Sequence, residues 1–133
     1  MRTAACSCGQ LSISLEGNPH DVLICHCRDC QKATGAPYGV STYWSKEAIA
    51  DIRGNSHTFQ RVSDAGRMLE NHFCPTCGGR PFWYADFAPN SVGVALGNFE
   101  ESDLPWPTDE YWTDRKHPWC AVLGPIRSHR GDS

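Results

Sequence analysis

The stretch Cys74-Pro75-Thr76-Cys77-Gly78-Gly79 decides how this chain is read. Two cysteines on one tight turn can reach a single ion. Proline fixes the turn, and the glycines permit positive φ just past the second ligand. The backbone amides of such a turn can donate hydrogen bonds to the sulfurs. Toward the N-terminus, Cys6-Ser7-Cys8-Gly9 is a tighter pair, also followed by glycine. Together the two pairs supply four thiolates, the tetrahedral shell that zinc prefers. An ion shared between them closes a long loop, and structural zinc contributes ~10–16 kcal/mol to folding. That matches the whole net stability of a domain, on the order of 5–15 kcal/mol.

The central element, Cys25-His26-Cys27-Arg28-Asp29-Cys30, has a different form. Its three thiolates can cap one face of a second ion, so seven of the eight cysteines divide four and three over two zinc ions per chain. The fourth position at the second ion comes from elsewhere or from water. A three-ligand site with an open position is the arrangement of catalytic zinc. The closed alternative takes a fourth ligand from Cys120, His26, His72 or His117. His26 alternates with the ligands and points away from the metal if the segment is extended. An even number of cysteines also permits a disulfide framework, but the clustering and the absence of an apolar secretion signal at the N-terminus favour metal in a reducing cytosol.

Outward from the cysteines the chain reads as many short strands. Gln10 to Glu16 alternates apolar and polar with period two, and Gly17-Asn18-Pro19 ends it as a turn. Val22-Leu23-Ile24 leads into the central cluster, and Arg28 to Thr34, closed by Gly35, forms a short helix. Further strands are expected over Tyr38–Trp44, His57–Val62, Met68–Phe73, Arg80–Ala85 and Ser91–Leu96, with a short capped turn at Ser45-Lys46-Glu47-Ala48. This pattern predicts a mostly β domain of several short antiparallel strands. One domain spans residues 1–133, with a Pro- and Trp-rich segment after Phe99 wrapping the sheets and a frayed tail from about Ser128. The tryptophans are expected to shield the metal sites from water.

The net charge of −3 argues against nucleic acid or anionic lipid as partner. No apolar run approaches the roughly 18–20 residues needed to span a bilayer. The expectation is a cytoplasmic chain.

The order C-x-C-G, then C-H-C-x-x-C, then F-C-x-x-C-G resembles the glutathione-dependent formaldehyde-activating enzyme family, to which centromere protein V belongs. The likeness includes Cys30-Gln31-Lys32-Ala33-Thr34-Gly35-Ala36, His72-Phe73-Cys74-Pro75-Thr76-Cys77-Gly78 and the late Pro118-Trp119, and it runs from about Ala5 to Trp119. Cys120 lies outside the pattern. The resemblance implies a zinc-binding β-tent joined at a zinc knuckle. It implies a structural zinc on Cys6, Cys8, Cys74 and Cys77 and a catalytic zinc on Cys25, Cys27 and Cys30, the division already reached from ligand counting. It further implies a small-molecule thiol substrate, typically glutathione, and a carbon–sulfur lyase-type reaction with a small aldehyde such as formaldehyde.

For such a reaction His26, His72 and Asp29 are the candidate proton donors. Arg28, Lys32 and Arg80 are candidate anchors for the carboxylates of a glutathione-like substrate. Two other classes compete: a non-catalytic binding module with two closed zinc sites for a protein partner, and a sensor whose Cys25/Cys27/Cys30 site loses zinc on oxidation.

Overall fold

A computed structural model describes residues 1–63 and 65–131. The alternation that begins at Gln10 forms β2, Ser12–Leu15, with Ile13 and Leu15 fully buried. β2 is the middle of a three-stranded antiparallel sheet, flanked by β1, Arg2–Ala5, and β5, Ile49–Arg53.

The second sheet is larger. It runs in the order β11-β10-β3-β4-β9-β8-β7-β6, comprising β3 (Asp21–Cys25), β4 (Gly39–Ser45), β6 (His57–Val62), β7 (Met68–Phe73), β8 (Phe82–Ala85), β9 (Ser91–Ala95), β10 (Asp109–Tyr111) and β11 (Arg127–Ser128). Among the described residues one short α-helix, α1 (Arg28–Thr34), ends at Gly35, whose left-handed φ of 65° caps it. Ser45 caps the expected turn at Lys46–Ala48.

The main core lies around β2, β4, β8 and β9. It holds Leu11, Ile13, Leu15, Trp44, Phe82, Val92, Val94 and Phe99 together with the two cysteines Cys6 and Cys74. Trp44 is fully buried, and its indole N–H finds a partner by donating to Thr42 Oγ1 at 2.8 Å. Thr42 Oγ1 in turn donates to the Val94 carbonyl. β4 therefore turns Thr42 and Trp44 inward and leaves Ser41 and Tyr43 on its other face.

The segment after Phe99 departs from expectation. Part of it enters the large sheet, because β10 pairs parallel with β3 and β11 pairs parallel with β10. Asp109 and Glu110 are buried in this strand. Burial of two carboxylates is tolerable only with full pairing. Asp109 is held by Arg127 through two hydrogen bonds of 2.9 Å and lies 3.0 Å from His129 Nε2. The chain around Ser128, expected to fray, is tied in as well: the His129 N–H donates to the Glu110 carbonyl and the Trp112 N–H to that of Gly131. Residues 132 and 133 lie outside the described residues. Among the described residues no helix is long and apolar enough to cross a membrane.

Candidate metal centres and the cleft between them

Cys6 and Cys8 follow β1, and Cys74 and Cys77 follow β7. Folding brings their four sulfurs within 4.8 Å of one another. The Cys6–Cys8 and Cys8–Cys74 separations are 3.7 Å each. A tetrahedron with metal–sulfur bonds of ~2.3 Å has sulfur–sulfur edges of ~3.8 Å. The donor set therefore fits zinc in both chemistry and size.

The surrounding donors also fit. Leu11 N–H donates to Cys6 Sγ at 3.3 Å, Thr76 N–H to Cys74 Sγ at 3.3 Å, and the Gln10 side-chain amide to Cys74 Sγ at 3.2 Å. Loss of water pushes the Cys74 thiol up, but the backbone of Cys77, the Gln10 amide and the Thr76 N–H outweigh it and hold it at about 5. Gly78 adopts φ +78°, and a Cβ on Gly79 would stand 3.0 Å from Cys6 Cβ. The second glycine of the turn is thus needed for the close approach of the two chain segments.

The other cluster is local. Cys25 ends β3, Cys27 is the residue before α1, and Cys30 lies in its first turn, where the Cys30 N–H donates to Cys27 Sγ at 3.2 Å. These three sulfurs also lie within 4.8 Å of one another. Three thiols so close share protons unevenly. Hydrogen bonds from Cys25 and Cys30, aided by the nearby Arg61 charge, bring Cys27 down to about 2, while Cys25 is pushed up by the same neighbours. Among the described residues no histidine, carboxylate or further cysteine joins the three.

The proposed fourth ligands are placed elsewhere. His26 is fully buried on the opposite face, with Nε2 at 2.9 Å from Glu110 Oε2. His72 stacks on Phe82 and lies 2.9 Å from Glu70 Oε2. His117 Nε2 lies 2.9 Å from Gln31 Oε1, and Cys120 lies beside Ala36, Pro37 and Tyr38. The ligand loop is braced from the far end of the chain: the His26 N–H donates to the Tyr111 carbonyl, and the Gln31 amide donates to the carbonyls of His26 and Arg115.

Cys25, Cys27 and Cys30 form part of the wall of a cleft of about 100 Å³. It admits the thiol end of a larger molecule or a one-carbon aldehyde, not a tripeptide whole. Arg61, Arg67 and Arg80 line it, as do Tyr43, Trp83 and Trp112. Arg61 donates to Asp29 Oδ2 at 2.9 Å, and Arg80 donates to Asn71 Oδ1 at 2.7 Å with its guanidinium 4.5 Å above the Trp83 ring. Burial lowers the Arg80 pKa from the ordinary arginine range. Trp112 takes a left-handed φ of 57°, a conformation that costs a bulky residue on the order of 1–3 kcal/mol.

Of the expected anchors only Arg80 reaches the cleft; Arg28 and Lys32 are exposed and do not line it. Of the tryptophans, Trp83 and Trp112 shield the cleft, whereas Trp106 and Trp119 are exposed. Sequence reading missed Arg61, Arg67 and Tyr43. The alternation over Tyr38–Trp44 marks Tyr43 as facing away from Trp44, but nothing local marks that face as the cleft side.

The family model for the glutathione-dependent formaldehyde-activating enzyme matches residues 1–115. Among solved structures, the chain is similar to a crystal structure of a Rhodobacter sphaeroides protein, with 21% identity and a TM-score of 0.58 over 78% of this chain and 98% of that one. A search of curated proteins finds no match.

Proposed function

The chain belongs to the glutathione-dependent formaldehyde-activating enzyme family, and from that premise we propose a zinc-dependent carbon–sulfur lyase-type enzyme that joins and separates a glutathione-like thiol and a small aldehyde such as formaldehyde. Its role is thereby related to glutathione and formaldehyde, and two cysteine clusters are available to hold metal ions. Cys6, Cys8, Cys74 and Cys77 would hold a structural zinc, and Cys25, Cys27 and Cys30 a catalytic one. The observation that carries this reading is the asymmetry of the clusters. Four thiols complete one shell, while three thiols form the wall of a cleft with no fourth protein ligand among the described residues.

Bound at the three thiols, zinc would supply a lowered thiol pKa, keeping the substrate sulfur nucleophilic near neutral pH. The protein's own groups do the rest. Arg61, Arg67 and Arg80 present guanidinium groups at the cleft, suited to the carboxylates of a glutathione-like thiol. The remainder of such a molecule lies over the mouth, since the cleft holds only its thiol end. Trp83, Phe87 and Trp112 exclude water from the reacting sulfur. In the forward direction a sulfur–carbon bond forms as the carbonyl π pair moves to oxygen, giving a hydroxymethyl thioether; the reverse is the lyase step. A closed two-zinc module for a protein partner needs a fourth ligand, and Cys120 is not among the grouped sulfurs but lines a separate pocket with Ala36, Pro37 and Tyr38.

Cobalt substitution tests the reading. Titrating the cobalt protein with glutathione is expected to add one thiolate-to-cobalt charge-transfer contribution, and Cys120→Ala is expected to leave it intact. Two complete tetrathiolate spectra before any thiol is added would replace the enzyme with the binding module.

A further inference from the structure

Addition of a thiol to an aldehyde turns the carbonyl oxygen into an alkoxide, which needs a hydrogen-bond donor and then a proton. None of the donors expected from sequence faces the reacting position. His26 is buried against Glu110, His72 sits between Ser56 and Glu70, and Asp29 accepts from Arg61. The cysteines themselves are occupied as ligands in the reading above.

Tyr43 stands on the cleft wall with all three cysteines. The alternation of β4 puts it there, two residues from Ser41 on the same face and opposite the buried Thr42 and Trp44. Its ring is fixed edge-on to Trp83, with centroids 6.2 Å apart. The Trp83 indole N–H donates to Tyr43 Oη at 3.4 Å. A phenol has one hydrogen to give, and this contact uses only a lone pair. Among the described residues no acceptor takes the hydroxyl's own hydrogen. Burial, offset in part by the Trp83 hydrogen bond and reinforced by the Cys30 and Cys25 sulfurs, pushes the phenol up to about 12, so it keeps its proton at neutral pH.

We propose that Tyr43 is a catalytic residue whose Oη–H donates to the aldehyde oxygen while the thiol sulfur adds to its carbon. The inference rests on the thiol–aldehyde reading of the cleft. The thiol's proton leaves to solvent on ionisation. The sulfur–carbon bond forms as the π bond breaks, the oxygen takes the Tyr43 proton, and solvent returns a proton to the phenol. In the lyase direction the same steps run backwards. The phenol gives its proton to solvent and takes the hydroxyl proton as the carbon–sulfur bond breaks and the carbonyl re-forms, and solvent returns a proton to the released thiolate. Trp83 acts one step removed, as the positioning residue that orients the phenol.

Tyr43→Phe removes one oxygen and keeps the ring contact with Trp83. The expected variant has unchanged zinc content and calorimetric glutathione affinity, and a melting temperature lower by only a few degrees because the Trp83 N–H loses its acceptor. Its kcat for forming the hydroxymethyl adduct from glutathione and formaldehyde, measured above the spontaneous rate, falls about 10²-fold, as on removal of one oxyanion donor. A binding readout stands beside turnover. Affinity for the pre-equilibrated glutathione–formaldehyde adduct falls about tenfold, the worth of one hydrogen bond, while affinity for S-methylglutathione does not change. Full kcat and full adduct affinity in the variant, with the unaltered protein active, overturns the role of Tyr43 and leaves the thiol–aldehyde reading standing. Equal loss of glutathione affinity and kcat makes Tyr43 a ground-state contact and likewise overturns the proposal. An unaltered protein that neither accelerates the reaction nor binds the adduct overturns both readings.

Discussion

The two cysteine clusters use the same ligand atom to different ends. The four-thiol cluster joins a turn after β1 to a turn after β7, and its inner sulfurs, Cys6 and Cys74, belong to the hydrophobic core. The three-thiol cluster lies on one short loop and shares its wall with a cleft. Closing a long loop removes more chain entropy than closing a short one, though the dependence is only logarithmic. The larger difference is packing. Disrupting the first cluster opens the core, whereas disrupting the second empties a surface cleft. The fold packs the four-sulfur cluster against its core and leaves the three-sulfur cluster on the wall of a cleft.

The sharpest test compares single ligand losses. Cys74→Ala is expected to abolish cooperative thermal unfolding, because it forfeits most of the ~10–16 kcal/mol that a structural zinc contributes. Cys27→Ala is expected to keep a cooperative melt with about half the zinc, losing roughly 1 kcal/mol with its cap on α1. Calorimetry and elemental analysis on both variants decide it; equal loss of cooperativity would erase the distinction between the clusters.

Metal removal gives the next largest contrast. A mild chelator should empty the three-thiol cluster first, leaving a folded chain with one zinc, because an open shell exchanges ligands more readily. Simultaneous loss of both ions with unfolding would mean that the cleft cluster also holds the fold together.

Arg80→Met is expected to raise KM for glutathione about tenfold while leaving kcat within threefold, since one charge-assisted hydrogen bond is worth ~1.5–3 kcal/mol. Its melting temperature should shift by only a few degrees through loss of the contact with Asn71. A fall in kcat at constant KM would move Arg80 from binding to chemistry.

The smallest effect concerns the brace behind the cleft. Hydrogen bonds from Arg127 and Thr108, with His129 close by, hold the Asp109 carboxyl well below the usual carboxylate range. A depressed folded pKa contributes stability above the unfolded value of ~3.9 and loses it as pH falls toward the folded one. Asp109→Asn should therefore cost about 1–2 kcal/mol at pH 7, a charge-assisted bond discounted for the exposed Arg127. The difference in melting temperature between the two proteins should be constant above about pH 5 and shrink below pH 4. A difference independent of pH would show that the carboxylate's charge does not hold β11 in place.

Local signals made part of this structure legible. β6 and β7 occupy His57–Val62 and Met68–Phe73, and α1 occupies Arg28–Thr34, each as its periodicity and punctuation predict. Both cysteine groupings follow from spacing, because zinc-sized clusters need short turns. β10 was not legible: Asp109-Glu110-Tyr111 has poor strand propensity. It becomes a strand because partners from distant segments, Arg127 and His129 for Asp109 and His26, Lys116 and Ser128 for Glu110, take up its charges. The inward face of Arg61 was equally hidden, since it depends on pairing with Leu69 and on the salt bridge to Asp29. Such facts live in long-range registers that no window of sequence contains.

The parallel pairing of β10 with β3 also sets a timetable. Translation adds roughly 5–20 residues per second, so several seconds separate emergence of the Cys25–Cys30 loop from that of Tyr111 and Trp112, which complete its cleft. For that interval the nascent chain carries three neighbouring thiols without their wall and without the Tyr111 carbonyl that fixes the loop. Early metal capture would protect them from oxidation, and a local cluster can make that capture before the rest of the sheet exists. The four-thiol site has no such option, because its second pair is made long after its first.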